Sequence, residues 1–77
     1  MKKVIVNIQL KPGVLDPQGK AVHHALTSLG FDEVDDVRVG KQIILKIKKD
    51  TDTSRVEEMC EELLANTVIE NYEIEIK

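Results

Sequence analysis

Residues 3 to 10 alternate: Val4, Val6, Ile8 and Leu10 share one face, and Lys3, Ile5, Asn7 and Gln9 share the other. A period of two is the signature of a strand with one buried face, and that face requires a second layer to cover it. The cover comes from two stretches with a different period. Asp16-Pro17 predicts a helix start, because aspartate caps orphan amides and proline at the first helical position lacks only a donor that would go unused. Ala21, Val22, Ala25, Leu26 and Leu29 then mark one helical face, and Gly30 supplies the stop, so a first helix is expected over about residues 17 to 29. A second helix is expected after a cap among Asp52, Thr53 and Ser54, with Ser54 and Glu57 at capping-box spacing. Val56, Met59, Cys60, Leu63 and Leu64 form its stripe, with Asn66 as a left-handed stop.

Strand signals fill the remainder. Tyr72, Ile74 and Ile76 alternate with Asn71, Glu73, Glu75 and Lys77 in a last strand. Between the helices, Val34, Val37 and Val39 precede Ile43, Leu45 and Ile47, with Gly40-Lys41 dividing them. A two-residue turn at 40 and 41 would put Val37 and Val39 on the face opposite Ile43, Leu45 and Ile47. A three-residue loop through Gln42, or one long bent strand, keeps them together. The hairpin is preferred, because an unbroken strand would run to about 15 residues against a usual 5 to 6. The order is then β-α-β-β-α-β, an α+β, two-layer, ferredoxin-like arrangement with an antiparallel sheet and both helices on one face.

A chain of 77 residues has room for one domain over 1–77. A core this small barely outweighs the entropy lost on folding, and self-association is a common remedy. The lone Cys60 forms no internal disulfide, which points to a reducing cytoplasm. The apolar stretch after Lys2 and Lys3 is too short and polar for a secretory leader, and nothing approaches the roughly 20 apolar residues of a membrane span. A formal charge of -3 argues against nucleic acid as a partner, and Phe31 and Tyr72 alone offer no stacking platform.

Reactive constellations are missing as well. His23 and His24 are neighbours on a helix, pointing about 100° apart, and do not converge on one metal or one proton. Cys60 lies on the apolar stripe of the second helix and reads as a buried, inert thiol. Glu57, Glu58, Glu61 and Glu62 read as a solvated face, and Gly13, Gly19 and Gly40 match no phosphate-cradling spacing. No catalytic or metal site is expected. Two features ask for more than a fold. The stretch from Pro12 to Gly19 is elaborate for a strand-to-helix connection, and Gly19 in the first helical turn costs about 1 kcal/mol against alanine unless something approaches its backbone. Ile5 and Ile44 sit among polar neighbours on the helix-free face and are candidates for a contact between copies.

Leu10-Lys11-Pro12-Gly13-Val14-Leu15-Asp16-Pro17-Gln18-Gly19-Lys20-Ala21, then Leu29-Gly30-Phe31 and Val37-Arg38-Val39-Gly40-Lys41, resembles the small (PurS) subunit of phosphoribosylformylglycinamidine synthase over the whole chain. The resemblance implies a subunit of an enzyme in purine biosynthesis that has no active site of its own. It would join a glutaminase subunit to a large synthase subunit, exist as a dimer, and help ammonia pass between them. It would bind no cofactor itself, the complex using ATP and magnesium. Contact candidates on the matched motifs are Pro12, Gly13, Val14, Asp16, Pro17, Gln18, Gly19, Arg38, Gly40 and Lys41. Gly19 has no Cβ to obstruct a partner's backbone, and Arg38 offers a guanidinium suited to a partner's carboxylate. The alternative is a regulatory module of the ACT type, which has the same topology and binds small metabolites.

Overall fold

A computed structural model describes residues 1–77. Strand β1 (Lys2–Leu10) leads through a turn to helix α1 (Pro17–Ser28), then β2 (Lys41–Ile47), helix α2 (Thr53–Met59) continued by a π-helical turn over Cys60–Leu64, and β3 (Glu70–Ile76). The sheet is antiparallel, in the order β2-β1-β3. β1 is central because its alternating Val4, Val6 and Ile8 are fully buried and both neighbours pair along it. Val4 stands opposite Leu45 and Ile76, and Val6 opposite Ile43 and Ile74. These apolar rows meet α2 and its π-helical continuation, whose Val56 and Cys60 join Val4, Val6, Ile8 and Ala65 in the buried core.

The α+β architecture on an antiparallel sheet is as expected, but the sheet has three strands. Residues 34–40 form neither arm of a hairpin nor a bent extension of β2. Three valines suggested a strand there, yet side chains engage this segment's polar backbone where a ladder would otherwise do so. The Val34 carbonyl lies 2.8 Å from His23 Nε2, the Val37 amide donates to Asp36 Oδ1, and the Val39 amide donates to Asp16 Oδ2. Asp35 and Asp36 also disfavour strand geometry.

The helices differ from expectation in smaller ways. Asp52 is the cap of α2, its carboxylate accepting from the Ser54 amide at 3.2 Å, so Ser54 lies inside the helix. The π-helical turn closes when the Ala65 amide donates to the Cys60 carbonyl at 3.0 Å, and the chain leaves in an extended conformation. Asn66 is therefore no left-handed stop; no residue other than glycine has positive φ. Gly30 is one, with φ of 96°, and the Phe31 amide returns to the Leu26 carbonyl across it.

The largest departure concerns α1. Both helices were expected on one face of the sheet, but no residue of α1 belongs to the core or packs against it, and Gly19 is the only residue that the helix buries. Val22 is 43% exposed and Leu29 73%, so the apolar stripe read from the sequence faces solvent. The radius of gyration is 15.9 Å, against about 11.5 Å for a compact chain of this length. α1 stands off the sheet as an arm.

Candidate functional site

The two motif stretches meet at the base of this arm. A turn at Lys11-Pro12-Gly13-Val14 closes when the Val14 amide donates to the Lys11 carbonyl, with Gly13 in the left-handed region at φ 86°. The Lys11 amide donates to the Ile69 carbonyl at 2.8 Å, tying the turn to the start of β3. Asp16 then begins α1 and is only 4% exposed. One carboxylate oxygen accepts from the Gly19 amide at 2.9 Å, the helix cap, and the other accepts from the Val39 amide at 2.8 Å. Those two amides hold the Asp16 carboxyl below the usual aspartate range. The Arg38 guanidinium assists, while burial works against them.

Arg38 completes the junction from outside. Its Nη1 donates to the Val14 carbonyl at 3.1 Å and its Nη2 to the Lys11 carbonyl at 3.3 Å. The guanidinium expected to seek a partner's carboxylate thus lies along its own chain's turn. Gly19 answers to the same junction: a Cβ there would collide with the Val37 carbonyl oxygen and stand 2.7 Å from Asp16 Oδ2. The backbone that approaches Gly19 is the chain's own. Gly40 is comparable, since a Cβ there would lie 2.6 Å from the Ile8 carbonyl oxygen.

Beside the junction is a half-open cleft of about 320 Å³, lined among others by Leu10, Asp16, Pro17, Gln18, Gly40, Lys41 and Glu70. Lys41 and Glu70, both on its lining, form an ion pair with Nζ 3.7 Å from Oε2. Of the residues nominated by sequence, Pro12, Gly13, Pro17, Gln18 and Lys41 are exposed, Val14 is half-buried, and Asp16 and Gly19 are buried. Ile5 and Ile44 lie elsewhere, paired across β1 and β2 on the open face of the sheet, with Ile44 52% exposed. The sequence did not single out Glu70, which has no pattern to announce it. Nor did it mark the exposed face of α1, whose stripe was visible but looked like core.

The ionisable groups elsewhere do not assemble into a reactive set. Cys60 is fully buried, and burial pushes its thiol up, with Glu61 and Glu57 adding to the effect. The Tyr72 hydroxyl is pushed up by burial and by Glu61. Three or more His, Cys, Asp or Glu nowhere group in a way that could hold a metal ion. No helix is long and apolar enough to cross a membrane.

Comparison with known proteins assigns the chain. A family model described as Phosphoribosylformylglycinamidine (FGAM) synthase, PurS, matches residues 3–77. The phosphoribosylformylglycinamidine synthase subunit PurS of Bacillus subtilis is 57% identical, covering 100% of this chain and 94% of that protein. The PurS subunit of Methanocaldococcus jannaschii is 42% identical, covering 100% and 96%. Among solved structures, a C2 crystal form of B. subtilis PurS superposes with a TM-score of 0.92, covering 100% of this chain and 99% of that one. A chain in the structure of PurLQS from Thermotoga maritima has a TM-score of 0.83 at 32% identity, covering 99% and 96%. The three-stranded sheet, the junction around Asp16 and the motifs on it thus sit in a chain that belongs to the PurS family of phosphoribosylformylglycinamidine synthase subunits.

Proposed function

We propose that this subunit is the non-catalytic assembly component of phosphoribosylformylglycinamidine synthase. In the cytoplasm it bridges a large synthase subunit and a glutaminase subunit, so that ammonia released from glutamine reaches the site where formylglycinamide ribonucleotide becomes formylglycinamidine ribonucleotide. The observation that carries this reading is the likeness, along nearly the whole chain, to a chain of the T. maritima PurLQS structure. The chain's own surfaces suit the role. The exposed apolar face of α1, the exposed Pro12-Gly13 turn and the Ile5–Ile44 pair are contact surfaces, and no convergent set of acid, base and nucleophile accompanies them. Two copies act together, because a chain that leaves Val22 and Leu29 uncovered gains by burying them. ATP and magnesium serve the large subunit, and this chain carries no cofactor.

Reconstitution tests the proposal. Mixed with the synthase and glutaminase subunits, the chain should restore glutamine-dependent formation of formylglycinamidine ribonucleotide, while ammonia added in bulk should support the synthase subunit without it. Turnover by the pure chain, or full glutamine-dependent activity in its absence, would overturn the proposal.

A further inference from the structure

The face of the sheet away from α2 carries charges that the chain itself does not pair. Lys46 of β2 stands opposite Lys3 of β1, and Lys77 lies beside Lys3 at the end of β3. Glu75 and Glu73 follow on β3, opposite Ile5 and Asn7. All five charged residues are exposed, and the ion pairs of the chain, Lys41–Glu70 and Arg55–Glu58, use none of them. Lysines thus line one end of the face and glutamates one side, with Ile5 and Ile44 paired between them.

This pattern is self-complementary. Lys46 lines up with Lys3, and Glu73 with Asn7, so the two are two strands and four residues apart, at opposite corners with Ile5 midway. From strand geometry that is roughly 16 Å, too far for an ion pair within the chain. A two-fold axis lying on the face at Ile5, across this diagonal, sets Lys46 over Glu73 of a second copy and Glu73 over its Lys46. The same rotation brings Lys3 beside the second copy's Glu75 and stacks Ile5 on its own counterpart. An axis along β1 would set lysine on lysine instead, and one perpendicular to the strands would set Glu75 on Glu75. The diagonal pairs opposite charges, and the strands of the two sheets then cross steeply, as in orthogonal sheet packing.

We propose that the open face of the sheet is a contact with a second copy of this chain, set by Lys46–Glu73 and Lys3–Glu75 pairs across a diagonal two-fold axis at Ile5. It is separate from the apolar face of α1 and does not rest on the function proposed above. Three short strands offer too little area for a stable dimer, and exposed ion pairs are screened by salt, so the association is weak and falls away as salt rises.

Charge reversal in the full chain, read by sedimentation equilibrium at low salt, tests the contact. Lys46→Glu and Glu73→Lys should each weaken self-association about tenfold, since each sets like charges against each other twice across the axis. The double variant should regain the native association, because each reversed charge then meets the other on the second copy. Net charge alone does not produce that order. Glu73→Lys trades an acidic residue for a basic one and moves the formal charge of -3 toward zero, which by itself would ease repulsion between copies and strengthen association. The double variant leaves the net charge unchanged. Association through α1 is common to all these chains and cancels in the comparison. Positions 46 and 73 are too far apart to couple within one chain, so a recovery beyond the sum of the single changes reports a meeting between copies. Urea titration of dilute chain checks that each variant folds; if Glu73→Lys does not, Lys3→Glu with Glu75→Lys carries the same test. Undiminished association in the single variants overturns the proposal, as does a double variant that loses as much as the two singles combined. A native association indifferent to salt overturns it as well.

Discussion

Gly19 shows how one position reverses a rule drawn from propensity. In an exposed helix, replacing glycine by alanine gains about 1 kcal/mol. Here the new methyl would strike the Val37 carbonyl and crowd the Asp16 carboxylate, and forced overpacking costs about 1 to 3 kcal/mol. Gly19→Ala is expected to lower the urea midpoint, the opposite sign to helix propensity; a raised midpoint would mean that the returning segment yields freely. The sequence flagged Gly19 as out of place but suggested a foreign backbone, because only the folded chain brings Val37 beside it. Asp16 was legible as a cap, whereas its second bond, to an amide 23 residues away, was not. That bond has a consequence in acid. A carboxyl whose folded value is depressed contributes stability that is fully present above its ordinary value of about 3.9 and is lost as pH falls through the folded value. The melting temperature should therefore fall as pH drops below about 4, and less steeply in Asp16→Asn, which has no proton to take up there. Equal slopes would assign the acid loss to other carboxylates.

Among the elements, β1 and β3 were legible because alternation and pairing agree: Val4, Val6 and Ile8 of β1 and Tyr72 and Ile74 of β3 lie in or against the core that includes Val56 and Cys60, and the two strands lie in register from Val4–Ile76 to Leu10–Glu70. β2 was legible only from Lys41 onward. The valines at 34, 37 and 39 are a weaker signal, since only Val37 and Val39 keep the period of two, a strand needs a ladder partner, and the edge of β2 is not extended by this segment. Side-chain bonds from His23 and Asp16 claim its backbone, and those partners are remote in sequence. The open face of the sheet supports a further test. Lys3 stands directly opposite Lys46 in the β1–β2 register, and the Lys77 amide donates to the Lys3 carbonyl, which brings a third lysine alongside. None of the three has an ion-pair partner within the chain. Like charges directly opposite destabilise a strand pair, so Lys46→Glu should raise stability by about 0.5 kcal/mol at low salt. The gain should shrink as salt screens it. A loss of stability in urea titrations at low salt would show that the lysines do not repel across this face.

At the level of the whole molecule, the arm divides stability from assembly. The core is built from β1, its two neighbours and α2, while α1 adds nothing to it. Leu29→Asp, at a position 73% exposed, should change the urea stability of the dilute, monomeric chain by no more than about 0.5 kcal/mol. The same substitution should weaken self-association in sedimentation, because a charge then occupies the apolar face that a second copy covers. Strong destabilisation of the monomer would instead mean that α1 folds back onto the sheet in solution.

What the sequence by itself determined is local. Period and caps specify that residues 3–10 and 71–77 carry strands, within a residue of the bounds the fold has, that Asp16-Pro17 opens a helix and that Gly30 closes it, since each depends on neighbours within a few residues. The motif stretches were enough to place the chain in its family. Only the tertiary structure decided where α1 points, why Gly19 and Gly40 lack side chains, and that Arg38 binds its own turn. An amphipathic stripe records that a helix has an apolar face but not which surface covers it. The choice between the chain's own sheet and another molecule rests on bonds between residues such as Asp16 and Val39, which become neighbours only once the chain has folded.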